Sequence, residues 1–102
     1  MENLIKKIRT ALSDFAPKIK VILFGSEARG DSKEYSDIDL MIIYSGDTIS
    51  WQDEKEILTP LYALEFENGK IISPHLVTSK EWENLSRQST FYHEVLKDGI
   101  VL

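Results

Sequence analysis

Apolar and polar residues alternate along this chain with more than one period. Leu4, Ile5, Ile8, Leu12 and Phe15 recur at helical spacing, with Lys6, Lys7, Arg9 and Asp14 elsewhere on the wheel. This predicts an amphipathic helix over residues 2–15, stopped by Pro17. Ile19 to Phe24 is a solid apolar run ended by Gly25, which predicts a short buried strand. Asp37 to Tyr44 predicts a second strand, one that opens on acids. Ser45-Gly46-Asp47 is a turn. From Ser50 to about Leu64, Ile57, Leu58, Leu61 and Tyr62 return to helical spacing. Thr59-Pro60 interrupts that stretch, as a kink or as the cap of a second short helix with Pro60 at its first position. Beyond Leu64, the alternation of Leu64 and Phe66 with Glu65 and Glu67 fits a strand as well as a helix.

Asn68-Gly69-Lys70 predicts a tight turn. Ile71 to Thr78 predicts a third strand, and Pro74 inside it points to a sheet edge. Thr78-Ser79-Lys80-Glu81 has the spacing of a capping box and opens a helix through Trp82 and Leu85. Ser89 or Thr90 caps a last helix with Phe91, Val95 and Leu96 on one side, and Gly99 ends it. Ile100-Val101-Leu102 is expected to pack against the sheet. The order implies an α+β protein, a small mixed β-sheet covered by helices, in one domain spanning residues 1–102.

Composition narrows the function classes. With 102 residues, there is room for one core and little for a second substrate-holding domain. A net charge of −5 argues against a broad nucleic-acid footprint, which calls for a basic patch. The local basic excess of Lys6, Lys7, Arg9, Lys18 and Lys20 reads as a solvated face. The absence of cysteine excludes disulfides and thiolate metal sites. No apolar run approaches the roughly 20 residues that cross a membrane, and the N-terminus carries no export signal, so cytoplasm is the expected location.

The chemistry concentrates between the first two strands. Strand side chains alternate faces, so Asp37 and Asp39 point one way while Ile38 and Leu40 point the other. Carboxylates about 6 Å apart repel by about 3 kcal/mol at an effective dielectric of about 20. That placement makes sense with a cation between them, and Mg²⁺ is commonly held by one or two carboxylates plus substrate phosphates. Gly25 and Ser26 follow the first strand, and Ser26-Glu27-Ala28-Arg29 can begin a helical turn. A helix start favours anions, Gly25 lets a phosphate approach the chain, and Arg29 offers a planar fork. The Gly25 to Gly30 spacing also fits a Walker A loop, but Asp31 stands where that loop needs lysine, so a P-loop NTPase is excluded.

GSEARG followed by SDIDL resembles the signature of the DNA polymerase β-type nucleotidyltransferase superfamily, in its small stand-alone form, the minimal nucleotidyltransferases. The resemblance rests on Gly25-Ser26, residues 27 to 36 as spacer, and Asp37-Ile38-Asp39. It implies the polymerase β-type nucleotidyltransferase fold and transfer of a nucleoside monophosphate, AMP from ATP, to a hydroxyl acceptor with Mg²⁺. Gly25 and Ser26 would cradle phosphates, Arg29 would steady the triphosphate or leaving pyrophosphate, and Asp37 and Asp39 would be catalytic metal ligands for one or two ions. Minimal nucleotidyltransferases are commonly paired with a small helical HEPN protein in toxin–antitoxin modules, so the resemblance implies such a partner and a hetero-oligomer, with a homo-oligomer also open. The alternative is an inactive nucleotide-binding or contact-only antitoxin.

One departure from the family pattern matters. Members usually bring a third carboxylate from the next strand. Here that strand holds no acid, and the third position falls near Ser73. Either two acids suffice and the acceptor or partner supplies the base, or Glu65 or Glu67 enters from an adjacent segment, or nucleotide is bound without turnover. His75 shares the face of Ser73 and is a candidate base; a strand histidine with no chemical role is the plainer reading. His93 is read as surface or packing, Trp51 and Trp82 as core or interface, and Asp53-Glu54-Lys55-Glu56 as a solvated helix start.

Overall fold

The structure, a computed structural model, describes residues 2–15, 17–25, 28, 30, 37–85 and 89–102. Among these residues the chain runs α1 (Glu2–Ser13), β1 (Ile19–Phe24), β2 (Ile38–Tyr44), α2 (Trp51–Asn68), β3 (Ile72–Thr78), α3 (Ser79–Leu85), α4 (Thr90–Asp98) and β4 (Ile100–Val101). The four strands form one mixed sheet in the order β3-β2-β1-β4. β1 is antiparallel to both of its neighbours, and β2 and β3 are parallel. Pro74 lies on β3, an edge strand, where a missing backbone donor faces no neighbour's ladder.

The alternation read from the sequence places a separate apolar core on each face. Val21 and Leu23 of β1, Ile38, Leu40 and Ile42 of β2, and Ile72 of β3 pack with Leu4, Ile8 and Leu12 of α1 and Ile57 and Leu61 of α2. Ile22, Phe24, Met41 and Ile43 point the other way and meet Val95 of α4, with Val77, Trp82 and Phe91 packed around them. The sheet is therefore covered by α1 and α2 on one side and by α3 and α4 on the other. β2 is buried on both faces, which accounts for its continuous apolar run after the acids.

The structure decides between local readings that the sequence leaves open. α2 is one helix that passes through Pro60 and ends on Gly69. Ser50 caps its start by accepting from the Asp53 N–H at 3.1 Å, so no second helix begins at Pro60. Ile57 and Leu61 are both fully buried on either side of the proline, and that packing outweighs the one hydrogen bond the ring removes. Residues 64–68 are helical, not a strand. Apolar residues occur on two faces of α2: Trp51, Tyr62 and Phe66 are 74, 54 and 92% exposed, so Trp51 is no core residue. At the other end of the chain, Leu96 is exposed, and Ile100–Val101 pairs with Leu23 and Ile22 as a strand in its own right.

Other expectations hold. The Glu81 carboxylate accepts from the Thr78 N–H at 3.2 Å while Thr78 Oγ1 accepts from the Glu81 N–H at 3.1 Å, the reciprocal pair of a capping box. Ser89 caps α4 by accepting from the Tyr92 N–H at 3.4 Å. Gly99 ends α4, but its φ is −67°, outside the left-handed region. Its lack of a side chain is explained by crowding, since a β-carbon there would collide with the Val95 carbonyl and the Ile22 side chain. No described helix is long and apolar enough to cross a membrane.

Candidate active site

The site lies where β1 ends and where the parallel strands β2 and β3 begin. Asp39 sits opposite Phe24 of β1 on one side and Ser73 of β3 on the other. Asp37 immediately precedes β2. Ile38 and Leu40 are buried in the core under α1 and α2, so strand alternation turns Asp37 and Asp39 to the opposite face. Ser73 shares that face, and its hydroxyl donates to Asp37 Oδ2 at 3.3 Å. The two acids and the serine expected from the sequence are thus brought together.

Gly25 closes the group. Its φ is +78°, in the left-handed region, and a β-carbon there would stand 2.5 Å from Asp39 Oδ2. The space a side chain would fill is the space beside the Asp39 carboxylate. Both the backbone turn and this close approach call for glycine. Ser26 and Arg29, the other expected phosphate-binding residues, lie outside the described residues.

Two carboxylates and a hydroxyl make an all-oxygen donor set. Such a set suits a hard divalent ion that keeps part of its water and completes its shell with phosphate oxygens. Among the described residues no group of three or more His, Cys, Asp or Glu could hold a metal, so the protein contribution visible here stops at two acids.

The other candidates for a third acid or a base are placed elsewhere. Glu65 accepts from the Ile72 N–H at 2.8 Å. The Ile72 side chain is buried with α1 and α2, on the face away from the acids. Glu67 is exposed on α2. His75 lies on the acids' face, but its ring centroid is 5.7 Å from that of Phe24 and 5.6 Å from that of Phe91, and the two phenylalanines meet edge to face at 5.4 Å. This trio joins α4 to the sheet beside the site. Neither phenylalanine is singled out by motif; the packing of α4 on the sheet brings them together. His93 is exposed with its ring against Tyr92, whose ring also packs on Trp82.

Asp53, read as part of a solvated helix start, has a partner that local sequence does not announce. Tyr44 Oη donates to Asp53 Oδ2 at 2.8 Å. That bond, with burial and the carboxylate charge adding to it, raises the phenol above its ordinary value of 10.0.

Comparison with known proteins gives the family and the fold. The family model described as a nucleotidyltransferase domain matches residues 5–97. A Methanocaldococcus jannaschii protein, assigned by inference as a protein adenylyltransferase, is 38% identical over 99% of this chain and 96% of its own length. A solved minimal nucleotidyltransferase, itself so assigned by inference, superposes with a TM-score of 0.62 at 26% identity, over 99% of this chain and 94% of that one. A solved toxin–antitoxin complex with AMP-PNP gives a TM-score of 0.59 at 26% identity, over 94% of this chain and 69% of that one. A complex of a tri-AMPylated Shewanella oneidensis HEPN toxin with its MNT antitoxin gives 0.55 at 22% identity, over 98% and 69%, a likeness of fold alone.

Proposed function

Because the chain belongs to the nucleotidyltransferase domain family, we propose that it transfers AMP from ATP to a hydroxyl of a partner protein, as the antitoxin of a toxin–antitoxin pair. The observation that carries this reading is the convergence of Asp37, Asp39 and Gly25 at the open end of the sheet. Asp37 and Asp39 would hold Mg²⁺, and Gly25 with Ser26 and Arg29 would receive the triphosphate. When bound, the ion would neutralise charge on the phosphate oxygens. In the transfer, the acceptor oxygen bonds to the α-phosphorus and the bond from that phosphorus to the bridging oxygen breaks. Pyrophosphate leaves, and the hydroxyl proton passes to water or to a group the acceptor brings. Asp37 and Asp39 act by fixing the charge and position of the phosphates, which is where most of the catalysis of phosphoryl-type transfer resides.

A partner of the helical HEPN type is supported by what neighbours of the same fold assemble with. It is supported again by the outer face of α2. Trp51, Tyr62 and Phe66 leave an apolar stripe uncovered there, and Lys55 stands over the Trp51 ring at 5.2 Å. Apolar surface grouped in this way marks an interaction face. The neutral Ser73 favours one second reading, a contact-only antitoxin that binds its partner without modifying it.

The test is label transfer from α-labelled ATP with Mg²⁺ to proteins of the host lysate, comparing the unmodified chain with Asp39→Asn. A labelled protein band that requires Asp39 is the expected result. Its absence, with partner binding retained in Asp39→Asn, would replace transfer to protein by the contact-only reading.

A further inference from the structure

Ser73 touches the acid pair from β3 yet brings no charge to it. It is the register partner of Asp39 and its hydroxyl lies 3.3 Å from Asp37 Oδ2. A serine hydroxyl stays protonated near neutral pH and is a weaker ligand for a hard divalent ion than a carboxylate. Two dications a few ångströms apart repel strongly, and anionic ligands are what hold such a pair together. Two carboxylates leave a two-ion site short of negative charge. Among the described residues nothing makes up the deficit, since no third His, Cys, Asp or Glu joins the pair and Glu65 is engaged by the Ile72 N–H at the outer edge of β3.

We propose that Ser73 sets the ion count of the site: the chain by itself holds a single divalent ion between Asp37 and Asp39, and a second ion is left to be anchored by oxygens of the nucleotide and acceptor. The inference rests on the metal-binding reading above and adds a property of position 73 to it. The serine hydroxyl bonded to Asp37 keeps that carboxylate turned to the site without adding charge.

The experiment is a titration of the full chain with Mn²⁺ alone, with free ion counted by electron paramagnetic resonance. The unmodified chain and Ser73→Asn are expected to take up one Mn²⁺ per chain, and Ser73→Asp two. Should Ser73→Asp fail to fold, Ser73→Cys provides a near-isosteric second variant. The natural chain has no cysteine, so an ultraviolet thiolate band on adding Cd²⁺ reports position 73 alone. That band is expected with Asp39 intact and absent with Asp39→Asn. Two Mn²⁺ bound by the unmodified chain would overturn the proposal, as would one in Ser73→Asp, or no Cd²⁺ band in Ser73→Cys. Mn²⁺ uptake that ignores Asp39→Asn is a different outcome: it removes the metal reading itself, and the role of Ser73 with it.

Discussion

The Asp39 carboxylate rests against the bare α-carbon of Gly25, so close that a β-carbon on that glycine would lie 2.5 Å from Oδ2. Gly25 follows β1 and Asp39 lies in β2, and Phe24, just before Gly25, is the register partner of Asp39. Pairing of β1 with β2 therefore decides how near Gly25 comes to the acid.

Gly25→Ala is expected to do two things. Alanine at φ +78° costs about 1–2 kcal/mol of stability. The methyl group also pushes the Asp39 carboxylate aside, and AMP transfer should fall by up to about a hundredfold, the order seen when a reacting group is displaced by about 1 Å. Gly69→Ala is the control. It shares the positive φ, at +65°, but has nothing within 4 Å of its added carbon. It should cost similar stability in urea denaturation and leave transfer unchanged. Equal transfer rates in the two variants would show that the collision at Asp39 is without consequence.

Tyr44→Phe tests the bond to Asp53. The folded-state phenol is raised above 10.0, so the protonated form is favoured by folding. Its contribution is fully present below pH 10 and is lost as pH rises through the raised folded value. The unmodified chain should be more stable than Tyr44→Phe near neutral pH, and the gap should shrink over the range from pH 10 upward. Thermal melts across that range make the measurement, and a gap independent of pH would exclude the assigned cause.

Thr78→Ala removes a hydroxyl that is 1% exposed and caps α3 through the Glu81 N–H. A loss of about 1–2 kcal/mol is expected. Thr78→Ser, which keeps the oxygen, should recover most of it. Chemical denaturation of both variants decides whether the cap or the methyl group carries the effect.

The two apolar faces of α2 should respond differently. Leu61 is fully buried, and Leu61→Ala is expected to cost about 2–5 kcal/mol. Phe66 is 92% exposed, and Phe66→Ser should change the stability of the isolated chain by less than about 0.5 kcal/mol. The same substitution should weaken binding of a partner that covers this face. A large stability loss in Phe66→Ser alone would place that ring in the fold after all.

The residue pattern and the structure disagree where local signals compete. Pro60 and the Leu64–Glu67 alternation both argue against a continuing helix, and both are overridden because Ile57 and Leu61 anchor one face of α2 in the core. Burial of those side chains is a property of the packed chain, invisible in a four-residue window. Leu64 and Phe66 look equivalent in sequence, yet one packs on the core and the other is exposed. Ile100 and Val101 read as an apolar end; the open edge of β1 makes them a strand.

What the residues determine alone is local. Strand alternation puts Asp37 and Asp39 on one face and the Thr78–Glu81 spacing starts α3, because each depends on backbone geometry over a few positions; the Gly-Ser and Asp-x-Asp pattern adds a resemblance to the nucleotidyltransferases. What only the tertiary structure decides is which distant residues share that face. Ser73 reaches Asp37 across 36 positions, Glu65 is held by the outer edge of β3, and His75 is drawn beside Phe24 and Phe91. The parallel register of β2 and β3 sets Ser73 against the acids, and the packing of the helices on the sheet places Glu65 and Phe91. That register is held by two cores at once, since a slip of one residue would exchange the buried and open faces of β3.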